Sequence, residues 1–211
     1  MKNILYEDND ILVAYKPAGI ATQTSRIGQQ DMVSELKNYL VKAQKEEMSG
    51  KNGKDAVKKQ TFQEPYLGLV HRLDQPVSGV LVFAKNKKAA ADLSNQISNG
   101  TMKKFYYALI YGTPIRERDT LEDYLYKDER NNISKVVPKE KKNSKLAILD
   151  YEVLNYDDKR DLSLVKINLR TGRHHQIRVQ MANAGHGLFG DQKYGTRGQG
   201  KQIALWAYEL T

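Results

Sequence analysis

The sequence holds 211 residues with no cysteine, and its 34 Lys and Arg outweigh 25 Asp and Glu for a formal charge of +9. The missing cysteines exclude disulfides, thiolate nucleophiles and Cys-based zinc or iron–sulfur sites, which suits a reducing compartment. A pI near 9.4 is the electrostatic footprint expected of a nucleic-acid binder, although many basic proteins bind no nucleic acid specifically.

The length suits one large domain or two small ones, with a core that needs no metal or disulfide. Acidic residues interrupt the opening MKNILYEDND before an apolar run forms, so it does not read as a secretory signal. No stretch of about 18 apolar residues marks a membrane span. The expectation is a soluble, cytoplasmic protein.

Residues 4–6 and 11–15 are β-prone runs around the acidic turn Glu7-Asp8-Asn9-Asp10, and predict a hairpin. Lys16-Pro17-Ala18-Gly19 follows as a sharp turn. It holds Lys16 either toward a phosphate or in solvent. Met32, Val33, Leu36 and Leu40 recur at helical spacing, with Asp31 as the N-cap. After Lys42 the pattern dissolves into AQKEEMSGKNGKDAVKKQ, which reads as a Lys-rich surface loop over residues 43–60.

Residues 71–84, HRLDQPVSGVLVFA, set Asp74 just ahead of an apolar run at 79–84 with the length of a buried strand. A carboxylate there needs a partner, because burying an unpaired charge is costly. Arg72 and the distant Thr171-Gly172-Arg173 turn each offer one. Position alone leaves two readings open, a structural ion pair or a functional carboxylate. Asn86 then starts a helix that Asn99-Gly100 ends.

FYYALIY at 105–111 is a strand with large side chains, suited to a core or to a cleft wall. Short strands are expected at 120–125 and 133–137, then clearer ones at 146–154 and 162–169, the last as a central strand. LRTGRHHQIRVQMANAG, residues 169–185, turns at Thr171-Gly172 and enters a helix with Arg173, His174 and His175 in its first turn. Basic residues there oppose the helix dipole, a local conflict found where function overrides stability. No further His or acidic ligand follows at helical spacing, so no metal site is expected. The glycines at 187–195 lack the spacing of a phosphate-binding loop. A last strand covers 203–210 and carries the only Trp, Trp206.

Four segments together resemble the RluA-type branch of the pseudouridine synthases. They are HRLD with SG and an apolar strand, Lys104-x-Tyr106-x-Ala108, LRTGRHHQIR, and Gly190-Asp191-x-x-Tyr194-Gly195. The opening YEDNDILVAYKPAG is similar to that family's first segment, so the likeness runs from about Tyr6 to Leu210. Each motif alone is modest; their shared order is specific.

The resemblance implies an α+β fold on a mixed, mostly antiparallel central sheet with flanking helices and a central active-site cleft. It implies one catalytic domain over residues 1–211, without an S4-type domain, and isomerisation of uridine in ribosomal or transfer RNA with no cofactor or metal. Asp74 matches the catalytic aspartate, Arg173 the arginine paired with it, and Tyr106 the catalytic tyrosine that packs under the target base and is a candidate to assist proton removal from C5. Arg72 matches the residue that fills the space of an extruded base. His71, His175, Gln176 and Lys16 are further substrate-binding candidates.

The chain departs from the family at Gln75-Pro76-Val77 and Gly187-Leu188-Phe189, and it stops before the F-x-HP segment common there. Residues 43–60 look like an insertion. RNA is the expected partner, of a monomer with no obligate protein partner. The rival readings are a non-catalytic RNA-binding or ribosome-assembly protein and, from HRLD alone, a kinase. The kinase reading lacks a Gly-rich nucleotide loop, and no DFG follows at the required spacing.

Overall fold

Short β-prone runs dominate the chain, and a computed structural model describing residues 3–24, 26, 28–51, 64–195 and 200–211 joins ten of them into one sheet. The strands are β1 Ile4–Glu7, β2 Ile11–Lys16, β3 Gly68–Leu69, β4 Ser78–Ala84, β5 Lys104–Tyr111, β6 Arg118–Asp128, β7 Ile133–Val137, β8 Lys145–Asp157, β9 Leu162–Leu169 and β10 Leu205–Leu210. Three helices accompany them: α1 Met32–Lys51, α2 Lys87–Ser98 and α3 Gln176–Asn183. The order is β1-β2-β4-β10-β5-β9-β8-β6-β7, with β3 also on β4. Among the strands of the described residues only β10 and β4 run parallel; the other pairings are antiparallel. This is the mixed, mostly antiparallel α+β sheet expected from the sequence, and β9 is central in it.

Alternation explains which face is buried. Leu81 and Phe83 of β4, Tyr106, Ala108 and Ile110 of β5, and Val165 and Ile167 of β9 point to one side. There they meet Met32, Leu36 and Leu40 of α1 and Ile177 and Met181 of α3 in one core. Each such side chain contributes roughly 1.5–3 kcal/mol by leaving water. On the other side Val82 and Ala84 pack with Leu93 of α2. Among the described residues no helix is long and apolar enough to cross a membrane.

The helix starts follow their caps. Asn86 Oδ1 accepts from the Ala89 N–H at 2.8 Å. Asp31 accepts from Ser34 N–H and from Thr24 N–H, each at 2.7 Å. Such caps contribute about 1 kcal/mol each. Contrary to the loop expected from residue 43, α1 continues to Lys51; residues 52–60 of that stretch lie outside the described ones. The extension has no apolar pattern to read. As far as Met48 it is built of Ala, Gln, Lys, Glu and Met, all good helix formers, with Lys42 and Glu46 one turn apart at 3.8 Å.

One glycine decides how the centre of the sheet closes. Gly79 has φ +140°, and a Cβ there would lie 2.2 Å from the Ala207 carbonyl oxygen. Only a residue without a side chain lets β10 slide in beside the start of β4. The loop carrying Asp74 therefore enters the sheet where β4, β10 and β5 adjoin.

Candidate active site

Asp74 stands in the turn before β4, whose Val77 N–H donates to the Asp74 carbonyl at 3.0 Å. Its side chain meets two groups from the other end of the chain. Arg178 Nη1 donates to Oδ2 at 3.2 Å, and His175 Nε2 lies 3.6 Å from the same oxygen. Among the described residues no hydrogen bond is made to Oδ1.

The partner of Asp74 is thus Arg178, not Arg173. Arg173 is exposed, and its Nε donates to the Leu146 carbonyl at 2.8 Å. The cause is where the helix begins. His175 takes a left-handed conformation, φ 55°, and α3 starts only at Gln176. Arg173 and His174 precede the helix, while Arg178 falls within its first turn and faces inward. Gln176 holds this geometry: its Oε1 accepts from Thr171 Oγ1 and the Arg173 N–H, and its Nε2 donates to the Ile148 carbonyl and to Gln180. Its polar atoms are committed to the frame, which argues against a substrate contact.

Arg178 is anchored from behind by Asp191. Nε and Nη2 donate to the two Asp191 oxygens at 2.8 and 2.7 Å in a bidentate fork. Burial works against the Asp191 charge, but the guanidinium and the N–H groups of Lys193 and Tyr194 outweigh it and hold the carboxyl below its usual range. The guanidinium also sits over the Tyr194 ring, 5.1 Å from its centroid. Arg178, Asp191 and Tyr194 carried no role in the sequence reading. Their signal was present in QIR and in Gly190-Asp191-x-x-Tyr194, whose spacing matches one fork and one ring packed on it.

Asp74, His175 and Arg178 border a cleft of about 370 Å³, within the range of small-molecule sites. Tyr106 lines it from β5, beside Leu205 of β10. Burial, with the Asp74 charge added, raises the Tyr106 phenol well above its ordinary range. It therefore enters any reaction protonated. The charged residues of the lining are Arg72, Lys104, Arg173 and Arg178 against Asp74 alone, a field that draws in polyanions. Arg72 is exposed and also borders a second, polar pocket of about 280 Å³ with Arg26 and Gln75. Among the described residues no group of three or more His, Asp or Glu is placed to hold a metal ion.

Two other candidates are structural. Lys16 is fully buried, and its Nζ donates to the carbonyls of Pro17, Ile20 and Gln75 at 3.0, 2.6 and 3.0 Å. It faces neither phosphate nor solvent; it ties the first turn to the Asp74 loop. Burial lowers it to about 8, against the pull of Asp74. His71 borders the cleft, but its Nε2 accepts from the Val82 N–H at 3.2 Å.

Burial, helped by Lys104, pushes His71 down to about 4. Burial, then Arg178 and His174, pushes His175 down to about 3. Both are neutral when folded and protonate near pH 6.5 when unfolded. Between those values the unfolded chain binds more protons, so stability rises with pH. The contribution is complete above about pH 6.5 and falls as pH drops toward 4, with a slope on the order of 1.4 kcal/mol per pH unit for each His. Urea titrations across that window check it. Replacing His71 by a non-titrating residue is expected to shallow the slope; a midpoint that ignores pH would contradict both assignments.

The family described as RNA pseudouridylate synthase matches residues 10–183. The chain is 34% identical over 193 residues to an uncharacterized RNA pseudouridine synthase, YhcT, of Bacillus subtilis, covering 92% of this chain and 57% of that protein. It is likewise 34% identical over 192 residues to ribosomal large subunit pseudouridine synthase C of Rickettsia bellii, covering 91% of this chain and 56% of that protein. It thus spans little more than half the length of these relatives. Of solved structures, human RNA pseudouridylate synthase domain containing 1 matches with TM-score 0.74 over 99% of this chain and 77% of that one. At 24% identity, that likeness is one of fold.

Proposed function

This chain belongs to the RNA pseudouridylate synthase family, and from that premise we propose that it isomerises uridine to pseudouridine in ribosomal or transfer RNA. The observation that carries the reading is the Asp74 carboxylate, held through Oδ2 at a cation-bordered cleft with Tyr106 in its wall. The reaction breaks the C1′–N1 bond, turns the base and joins C1′ to C5, with the C5 proton lost and N1 gaining one. An ionised carboxylate can add to the sugar, add to the base or take a ribose proton. Each role uses a free carboxylate oxygen, and Oδ1 supplies it.

The other side chains support the same reading. Extruding a base from its stack costs a few kcal/mol, and stacking on an aromatic ring such as Tyr106 returns about 1–3 kcal/mol of it. Arg72, exposed at the rim, occupies the vacated stack in this reading. Arg173 and Arg72, both exposed, supply phosphate contacts, so binding is expected to weaken steeply with salt. The protein acts in the cytoplasm as a monomer in this reading.

The test is to map pseudouridine in total RNA with and without the gene, then to repeat the missing modification in vitro. Turnover is expected in EDTA and without nucleotide. RNA retention with no uridine isomerised at any position would instead favour the binding-only protein.

A further inference from the structure

Behind Asp74 lies a chain of hydrogen bonds that the proposed reaction does not name. The Tyr194 hydroxyl accepts from the Ser134 N–H at 2.7 Å, and it lies 2.8 Å from His175 Nδ1. The His175 ring is stacked on His174 at 3.7 Å between centroids and meets the Tyr194 ring edge-on at 5.5 Å. His174 Nδ1 in turn lies 2.9 Å from Ser134 Oγ. Ser134 belongs to β7, the far end of the sheet, so the last hairpin clamps the start of α3.

The protons in this chain follow from donor and acceptor counts. A phenol has one hydrogen to give. The Tyr194 oxygen already accepts from Ser134, and the acceptor within reach of its proton is His175 Nδ1. Nδ1 then carries the lone pair, and the ring proton sits on Nε2, which faces Asp74 Oδ2. The opposite tautomer would set a lone pair against a carboxylate. We infer that Tyr194 fixes His175 as the Nε2–H tautomer, so that a neutral imidazole N–H and the Arg178 guanidinium together hold Asp74 by Oδ2 and present Oδ1 to the uridine.

His175 and Tyr194 are positioning residues in this scheme, since they act through Asp74. The 3.6 Å separation is longer than a hydrogen bond. Catalytic contacts of this kind commonly tighten when substrate closes the site. Tyr194 sets both partners of the carboxylate at once, through its hydroxyl on His175 and its ring against Arg178. The inference rests on the pseudouridine synthase reading for its consequence, but not for the proton assignment.

The decisive experiment is nitrogen NMR on protein labelled at its histidines, with the His175 signals identified by their loss in His175→Gln. The expected wild-type spectrum near neutral pH shows a neutral ring protonated at Nε2. Tyr194→Phe, which keeps the ring over Arg178, should shift His175 toward the other tautomer. It should also lower kcat about 10- to 100-fold, equivalent to one hydrogen bond to a charged group, with KM for RNA little changed. His175→Gln, which retains an N–H donor, should keep more activity than His175→Leu. A wild-type ring protonated at Nδ1, or a Tyr194→Phe enzyme with unchanged kcat, overturns the inference. An Nε2–H ring in a protein that makes no pseudouridine from any RNA overturns the function proposed above and leaves the proton assignment standing.

Discussion

Asp74→Asn is expected to abolish pseudouridine formation while leaving the melting transition and RNA affinity near those of the parent. A positioned acid–base or nucleophilic group contributes at least about 10²–10⁴-fold, and an amide can neither add as a nucleophile nor take a proton at neutral pH. The fold should tolerate the change because Asp74 is not what keeps Arg178 in place. The two bonds to Asp191 do that, and they survive. Asp74 is also partly open to solvent, 27% by side chain, whereas Asp191 is fully enclosed. The assay is single-turnover conversion beside thermal melting and RNA binding. Residual turnover within tenfold of the parent, or a cooperative unfolding transition lost altogether, would remove Asp74 from its role.

The second large effect separates two arginines of one motif. Arg178→Ala leaves Asp191 charged and buried without its fork, and breaking such a pair typically costs about 3–5 kcal/mol. At roughly 2–4 °C per kcal/mol for a chain of this size, the midpoint should fall by about 10 °C. Activity should fall with it, since Asp74 loses the donor on Oδ2. Arg178→Lys should recover little, because one ammonium cannot serve three carboxylate oxygens in the plane of a guanidinium. Arg173→Lys is expected to leave both the melting midpoint and kcat close to normal, with any loss appearing in KM. Thermal scans and kinetics on the three variants settle the matter. If Arg173→Lys were the inactive one and Arg178→Lys the active one, the pairing seen here would not be the catalytic one.

That contrast shows what the sequence carries and what it withholds. The β-prone runs, the caps Asp31 and Asn86, and the stop at Asn99-Gly100 are local features, and the structure has them where residue types place them. Asp74 stood out because a carboxylate ahead of an apolar strand demands a partner. Which arginine answers depends on the start of α3. That start is set by the left-handed His175 and by Gln176 bonding to Ile148 on another strand, information that spacing along LRTGRHHQIR does not contain. Lys16 was misread for a similar reason: the Pro17 and Ile20 carbonyls of its own turn close on it together with the Gln75 carbonyl, 59 positions away, and no local pattern signals that distant third partner. The end of α1 was missed because the sequence of its last turns carries no periodic apolar residues, so only propensity speaks for them.

The position of β10 bears on how this molecule reaches its native state. The six residues of β10 lie between β4 and β5, strands completed more than ninety positions earlier in the chain. Until they arrive, β5 and the start of β4 each present an unpaired edge, and the Asp74 loop has no Leu205 beside it. Closing that gap joins segments far apart in sequence, whose loop entropy must be met before the contacts form. Refolding should therefore be slow for a chain of this length. During synthesis those inner edges stay open until residues 205–210 emerge, so the cleft is completed in the same step that joins the two halves of the sheet.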